Sequence, residues 1–157
     1  MQIDFSLMAG GEAGQGVQTV GHMIAKVFAK GGIHVFVLQD FESRIRGGHN
    51  FTQIRVKDEP VYAIAEEIDV IIALDKPTID LHSDKLAEGG ALIFDNENIK
   101  IKLKSNFFGI PLGKIAIEEG GDKLYANTVA VAAALGLLKY DLEILSDVIN
   151  QSFGKKP

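Results

Sequence analysis

The sequence predicts an α/β fold with three layers, helix, sheet and helix, in which the sheet is mostly parallel and has an antiparallel edge. Three observations predict it. Short apolar runs typical of buried strands recur along the 157 residues, segments with apolar residues three and four positions apart lie between them, and a glycine-rich turn joins the first strand to the first helix. A chain of this length normally forms one domain, so we expect a single domain over residues 1–157.

The first elements follow from the spacing of apolar residues. Residues 2–7 alternate between polar and apolar, which predicts a strand with one buried face that runs towards the glycines. Apolar residues three and four apart predict a helix over residues 17–30, which ends at the glycine pair 31–32. The β-branched and aromatic residues of IHVFVL, 33–38, predict a second, buried strand. A strand, a glycine loop, a helix and a strand in this order are typical of a Rossmann-like domain.

The rest of the chain continues this alternation of strands and helices. Continuous apolar runs are typical of strands covered on both faces, and a proline at the first position favours the start of a helix. The predicted elements are a strand near the sheet edge at 51–56, strands covered on both faces at 69–74 and 90–95, a helix between these two that starts at Pro77, and helices at about 127–138 and 142–153.

The composition excludes several classes of protein. Since the sequence has no cysteine, this chain forms no disulfide, no thiolate zinc site and no iron–sulfur cluster of its own. The net charge of −5 argues against nucleic-acid binding, which depends on clustered lysines and arginines. The start of the chain lacks the pattern of a signal peptide, and no window reaches about 18 uninterrupted apolar residues. We therefore expect a cytoplasmic protein that binds neither nucleic acid nor membrane.

No catalytic residue and no metal site is predicted. His22, His34 and His82 have no histidine or carboxylate partner at metal-ligand spacing, so we interpret them as ordinary core or surface residues. The G-x-S-x-G motif of a nucleophile elbow is absent. The remaining motifs concern binding.

The first of these motifs is the glycine-rich stretch GGEAGQGVQTVG, residues 10–21. A P-loop is excluded, because Val17 and Gln18 stand where it needs lysine and serine or threonine. A dinucleotide fingerprint is matched only in part, since Thr19 replaces its third glycine, although Asp40 stands where a ribose-binding acid would lie. Two interpretations stay open: an anion held by the backbone N–H groups at the helix start, or a tight turn that binds no ligand.

The second motif is ESRIRGGHN, residues 42–50. The guanidinium groups of Arg44 and Arg46 suit phosphate or carboxylate recognition, whereas the alternative is a solvated loop in which Glu42 pairs with one arginine. Both motifs follow strands that we predict to run in the same direction. Because ligands of open α/β sheets bind at the carboxyl edge, this arrangement predicts a site there.

The motifs together resemble a known family. The succession AGGEAGQGVQTVG, ESRIRGGHNFTQIRV, DVIIALD and YANTVAVAAALGLL is similar to the γ subunit, or γ domain, of the 2-oxoacid:ferredoxin oxidoreductases, over roughly residues 4–153. The pyruvate, 2-oxoglutarate and 2-oxoisovalerate enzymes belong to this family. The resemblance implies a component of an enzyme that oxidatively decarboxylates a 2-oxoacid on thiamine diphosphate, passes electrons through iron–sulfur clusters to ferredoxin and transfers the acyl group to coenzyme A.

The resemblance also implies how the work is divided among subunits. Thiamine diphosphate, Mg²⁺ and the iron–sulfur clusters are expected on α and β partner subunits or domains, and this chain is expected to contribute coenzyme A-side binding and assembly without activity alone. Arg46 is the foremost candidate for a charge contact to coenzyme A phosphate or to a carboxylate near the thiamine site. The residues carried over as cofactor-binding are Gly11, Gly14, Gln15, Gly16, Arg44, Arg46, Gly47, Gly48, His49 and Asn50.

Some features depart from stand-alone γ subunits. Ala13 replaces the third glycine of G-x-G-G-Q-G, and R-I-R-G-G-H replaces R-G-G-S or R-G-G-T, as in chains with γ fused ahead of α. We therefore expect either an excised N-terminal domain of such a fusion or a short γ subunit. Two alternative functions stay open: a stand-alone nucleotide- or dinucleotide-binding domain, and a γ domain that only holds subunits together, with its arginine segment against an acidic protein patch.

Overall fold

A computed structural model describes residues 2–42 and 48–154. Its strands are β1 (Asp4–Glu12), β2 (His34–Phe41), β3 (His49–Lys57), β4 (Ile68–Ala73), β5 (Leu86–Asp95) and β6 (Phe107–Ile110). Its helices are α1 (Val17–Lys30), α2 (Lys76–His82), α3 (Leu112–Gly120), α4 (Ala126–Leu137) and α5 (Leu142–Phe153).

The strands form one mixed sheet in the order β2-β3-β1-β4-β5-β6. Strands β1, β4, β5 and β6 are parallel neighbours, while β3 is antiparallel to both β1 and β2. Since β1 and β2 are both antiparallel to β3, they run in the same direction as each other. The predicted α/β fold with a mostly parallel sheet and an antiparallel edge is confirmed.

Helices and loops cover both faces of the sheet. On one face, α1, α4 and α5 pack around a cluster that includes Phe28 and Ile72. On the other, α2 and the segment that precedes β6 cover a second cluster that includes Ile71 and Ile79. Consecutive residues of β4 therefore enter different clusters, because successive side chains of a strand point to opposite faces. This explains the continuous apolar run over residues 70–73 of β4 and gives the predicted three layers.

The prediction for the second and third strands was wrong in its placement. We expected residues 33–38 to be buried and residues 51–56 to lie near the edge. Instead β2 is the edge strand, with Phe41 46% exposed, and β3 lies between β2 and β1 with Ile54 fully buried. The cause is β3 itself: it inserts antiparallel between the first two strands, a pairing that local residue patterns do not encode.

Three further features differ from the sequence prediction. Strand β1 continues through Gly10 and Gly11 to Glu12, because each of these residues pairs with β3. Strand β6 and helix α3 were not predicted: β6 has four residues and α3 nine, too short for a clear periodic signal.

Candidate functional site

The two predicted binding motifs flank the same edge of the sheet. In the strand register Asn50 of β3 pairs with Gly11 of β1 on one side and with Phe41 of β2 on the other. The strand that leads into the glycine loop and the strand that leads into the arginine segment therefore end at the same edge, on either side of the start of β3. This is the carboxyl edge of β1 and β2, where ligands of open α/β sheets bind.

The glycine loop is a tight turn that leads directly into α1. The N–H of Gln15 donates to the carbonyl of Glu12 at 3.1 Å, and both Gly14 and Gly16 have left-handed φ angles, of 90° and 89°. No side chain among the described residues caps the start of α1, and no acidic residue stands in its first turn. The first N–H groups of the helix, with the positive end of its dipole, therefore remain available to an anion.

The glycines of this loop serve different purposes. A Cβ on Gly11 would lie 2.8 Å from Oε1 of Gln15, and a Cβ on Gly16 would overlap Nδ2 of Asn127, so these two positions leave room for the protein's own side chains. A Cβ on Gly14 would meet nothing within 4 Å. Gly14 is thus the point at which the backbone of the loop is open to a ligand.

Two amide side chains hold the loop in place. Gln15 accepts from the N–H of Glu12 at 2.7 Å and donates to the carbonyl of Leu74 at 3.2 Å, which ties the loop to the end of β4. Asn127, in the first turn of α4, donates through Nδ2 to the carbonyl of Gln15 at 3.0 Å. These contacts fix the turn from both sides without occupying its open face.

The loop borders a cavity of about 370 Å³. This volume lies within the range of small-ligand sites, roughly 300 to 1,000 Å³. The cavity joins both motifs, because its lining combines the loop with residues at the ends of β2 and β3. The lining residues are Glu12, Ala13, Gly14, Gly16, Val17, Gln18, Thr19, Phe41 and Asn50.

Part of the predicted arginine segment lies outside the described residues. Arg44, Arg46 and Gly47 belong to that part. Gly48 is described, and a Cβ there would lie 2.8 Å from Cβ of Glu42. The N–H of Glu42 also donates to Oδ1 of Asn50 at 3.1 Å.

The consecutive residues His49 and Asn50 belong to opposite faces of the sheet. Asn50 lines the cavity beside α1. His49, one residue earlier, contacts His82 at the end of α2 on the other face. The alternation of a strand separates these two predicted neighbours, and the sequence alone did not show it because the start of β3 was not placed there.

On the α2 face, His49 and His82 form a hydrogen-bonded pair. Their Nε2 atoms are 2.8 Å apart, and Nδ1 of His82 lies 3.1 Å from Nζ of Lys85. The ring of Phe51 packs against both imidazoles. Nδ1 of His49 is buried and has no hydrogen-bond partner. A buried polar atom without a partner costs about 1–3 kcal/mol, so this position calls for an explanation.

The environment of His82 disfavours its charged form. Burial, together with the neighbouring charges of Lys85 and His49, lowers the pKa of His82 to about 4, while Asp84 acts in the opposite direction. The side chain is only 5% exposed. His82 is therefore a neutral imidazole at physiological pH.

The sequence analysis missed several residues around this edge. Asn127 stands in the YANTVAVAAALGLL segment, where an asparagine at the start of a helix was a usable signal for a capping or bridging role. The contact of Leu74 with Gln15 uses a backbone carbonyl and leaves no signal in the sequence. His49 and His82 are 33 residues apart in the sequence, so no local pattern of residues predicted their contact.

A larger groove of about 560 Å³ lies elsewhere, between α3, α4 and α5. Its lining is mainly apolar and includes Ala116, Val129 and Phe153. Such a surface offers little to a phosphate or carboxylate, which needs hydrogen-bond donors. We therefore assign the candidate site to the smaller cavity at the glycine loop.

Two further findings concern the described part of the chain. In residues 2–42 and 48–154, no group of three or more histidine, aspartate or glutamate side chains is arranged to hold a metal ion. Within the same ranges, none of the helices has the length and apolar character needed to cross a membrane.

Asn127→Ala is expected to lower the free energy of unfolding by about 1 kcal/mol, because the carbonyl of Gln15 loses a hydrogen-bond donor. The same change should loosen the glycine loop, which faster amide hydrogen exchange at Gln15 and Gly16 would reveal. Asn150→Ala, at an exposed position of α5, is the matched control. Equal exchange rates in both variants would show that Asn127 does not hold the loop.

The fold and the site define a class: an α/β domain with a glycine loop at the carboxyl edge of the sheet, where the loop leads into a helix start that no described side chain caps. Residues 6–157 match the family described as "Pyruvate ferredoxin/flavodoxin oxidoreductase", and the chain belongs to this family. The resemblance to the γ subunit or domain of the 2-oxoacid:ferredoxin oxidoreductases is confirmed.

Among its relatives, the chain is 30% identical over 151 residues to the ketoisovalerate oxidoreductase subunit VorA of Methanothermobacter marburgensis, covering 93% of this chain and 31% of that protein. It is similar, with a TM-score of 0.83 and 27% identity, to the 2-oxoglutarate:ferredoxin oxidoreductase from Magnetococcus marinus, solved with 2-oxoglutarate, coenzyme A and succinyl-CoA bound. That match covers 98% of this chain and 28% of the other.

The keto/oxoacid ferredoxin oxidoreductase γ subunit from Geobacter sulfurreducens shares the fold, with a TM-score of 0.74 at 22% identity and coverage of 99% and 86%. By contrast, the chain spans about a third of the length of VorA.

Proposed function

We propose that this chain is the γ component of a 2-oxoacid:ferredoxin oxidoreductase, which oxidatively decarboxylates a 2-oxoacid to an acyl-coenzyme A with ferredoxin as electron acceptor. Its part in the enzyme is to bind the coenzyme A side of the reaction and to assemble the complex. The observation that carries the proposal is the cavity at the sheet edge, which joins the open glycine turn to the strand ends that flank the arginine segment.

The described residues offer a phosphate two of the features it needs. The backbone is open at Gly14, and the uncapped start of α1 presents N–H groups at the positive end of the helix dipole. The carboxylate of Glu12 also lines the cavity and opposes an anion. Arg44 and Arg46 supply the compensating charge in this proposal, because Phe41 and Asn50, which flank their segment in the sequence, line the cavity.

The remaining chemistry belongs to partners. The sequence has no cysteine, so the iron–sulfur clusters that carry electrons to ferredoxin are held by α and β subunits or domains. Thiamine diphosphate and Mg²⁺ are assigned to the same partners, since this sequence lacks a G-D-G motif followed by N-N. This chain then makes and breaks no bond itself, and alone it oxidises no oxoacid. Nucleic acid and membrane have no part in the proposal.

The topology argues against the alternative of a dinucleotide-binding domain. In the Rossmann strand order the first two strands are neighbours, whereas here β3 separates β1 from β2. Asp40, the candidate ribose-binding acid, pairs with Phe51, one residue away from the Phe41–Asn50 pair that lines the cavity. Its side chain therefore belongs to the opposite face of the sheet. The arrangement favours coenzyme A over NAD.

Arg46→Ala in the assembled enzyme is expected to raise the KM for coenzyme A about 10- to 100-fold, because a charge-assisted hydrogen bond contributes about 1.5–3 kcal/mol. Steady-state kinetics with coenzyme A as the varied substrate measure the effect. Arg55→Ala is the matched control, since Arg55 pairs with Asp4 near the other end of β3.

Two outcomes would contradict this proposal. Saturable binding of NAD by the chain, with no response to coenzyme A, would favour the dinucleotide alternative. Loss of partner subunits from the Arg46→Ala enzyme on gel filtration, with an unchanged KM for coenzyme A, would assign the arginine segment to assembly alone.

A further inference from the structure

The outer edge of β2 is open in the part of the chain that the structure describes. β2 is the last strand of the sheet, and β3 is the only described strand that pairs with it. In an edge strand, every second residue directs its backbone N–H and C=O groups away from the sheet. Those groups of β2 are therefore available to a strand of another chain.

This edge lacks the features that keep edge strands from pairing with other chains. Such features are a short strand, prolines, lysines and bulges. β2 has eight residues, HVFVLQDF, without lysine or proline, and its register with β3 continues without a shift from His34 to Phe41. The strand at the opposite edge of the sheet, β6, has only four residues. Of the two edges, β2 is thus the one that is suited to pairing.

The side chains of β2 add apolar surface to this open edge. Val37 and Leu38, in the middle of the strand, are each 40% exposed. Because successive side chains of a strand point to opposite faces, the edge is incompletely covered on both faces of the sheet. A strand that pairs with β2 would bury apolar surface on both faces together with the backbone groups between them.

The residues of β2 are complementary to a second copy of β2. In an antiparallel pair, residues directly opposite each other lie on the same face, and a two-fold axis at Val37 sets this residue against its own copy. The same register sets His34 against Asp40 of the second copy, at both ends of the contact. Between them, Phe36 faces Leu38 of the second copy. A histidine opposite an aspartate and an aromatic residue opposite an aliphatic one are both favourable cross-strand pairs.

We propose that β2 is a homodimer interface, in which two copies of this chain pair antiparallel about a two-fold axis at Val37. The contact joins the two sheets into one of twelve strands, six from each copy. Since the two β2 strands run in opposite directions, the two glycine-loop cavities lie at opposite edges of the joined sheet. The interface is therefore separate from the proposed ligand site and does not depend on the proposed function.

Sedimentation velocity of the 157-residue chain tests the contact, and we expect a dimer whose fraction rises with protein concentration. Val37→Lys should raise the Kd of the dimer about 100-fold, because like charges then face each other at the axis and apolar contact is lost. Leu103→Lys is the matched control and should leave the Kd unchanged. Leu103 is an apolar residue, 64% exposed, in the segment that precedes β6 at the opposite edge of the sheet. Circular dichroism of both variants checks that they fold.

A chain that stays monomeric up to about 1 mM would overturn the proposal. An equal Kd in the wild type and in Val37→Lys would overturn it as well, because the dimer would then use another surface.

A charge exchange tests the register. His34→Glu should raise the Kd about tenfold, because it places two carboxylates opposite each other at both ends of the contact. The double variant His34→Glu/Asp40→Lys pairs opposite charges again and should return the Kd to the wild-type value. Equal Kd values in the single and the double variant would show that positions 34 and 40 do not face each other, and the two-fold axis at Val37 would be wrong.

Discussion

Gly16→Ala is expected to lower the free energy of unfolding by about 2–3 kcal/mol and to weaken the anion binding that we propose for the glycine loop. Two costs add up. The residue has a φ of 89°, and the left-handed region costs a residue with a Cβ about 1–2 kcal/mol. The new Cβ also overlaps Nδ2 of Asn127 and displaces it from the carbonyl of Gln15, which loses about 1 kcal/mol of hydrogen bonding. Urea unfolding followed by circular dichroism measures the sum.

Two control variants separate these costs. Gly32 lies just past the end of α1 and has a φ of 80°, but a Cβ there would meet nothing within 4 Å. Gly32→Ala should therefore lose only the free energy that the left-handed backbone conformation costs. Gly14→Ala, with a φ of 90° in equally open space, tests the same cost inside the loop. If Gly16→Ala destabilises the protein no more than Gly32→Ala, the contact with Asn127 does not determine the shape of the loop.

The stability of the fold is expected to depend on pH through His82. In the unfolded chain this histidine takes up a proton as the pH falls through about 6.5, whereas in the fold its pKa is about 4. The unfolded state therefore binds more protons between these values, and the free energy of unfolding falls as the pH decreases through this window. The contribution, fully present above pH 6.5, amounts to up to about 3 kcal/mol.

His82→Gln should remove this pH dependence, because glutamine does not titrate. The free energy of unfolding, measured by urea titration at several pH values between 4 and 7, should then fall less steeply than in the wild type. His22→Gln is the matched control, since His22 lies exposed on α1 and shows the effect of losing a solvated histidine. An identical pH profile in wild type and His82→Gln would mean that His82 titrates normally in the fold.

The sequence predicted the elements of this fold well where local patterns are strong. The helix over residues 17–30 has the predicted bounds, and the last two helices differ by at most one residue, because regular spacing of apolar residues over ten or more positions marks one face of a helix. The sequence did not predict correctly which of β2 and β3 lies at the edge of the sheet. Their residues suit a strand equally well at the edge or in the centre of a sheet, so their order was not encoded locally.

The candidate site also has features that the sequence predicted and features that only the structure showed. The glycine motif and the arginine motif could be identified in the sequence because each is a short run of unusual residues. The resemblance to the family rests on these motifs. Their closeness at one edge depends on β3, whose pairing with both β1 and β2 aligns Asn50 with Gly11 and Phe41. The role of Gly16 likewise depends on Asn127, more than a hundred positions away.

The sequence by itself therefore determined the class of fold and the two motifs, since composition and short-range spacing are properties of neighbouring residues. The resemblance of those motifs to a known family indicated the family. Only the tertiary structure decided which glycine is open to a ligand, on which face His49 and Asn50 lie, and that His49 meets His82. The physical reason is that these features depend on strand pairing and helix packing between segments that are distant in the sequence. The free energy of such contacts arises only when the whole domain is folded, so no local stretch of the sequence encodes it.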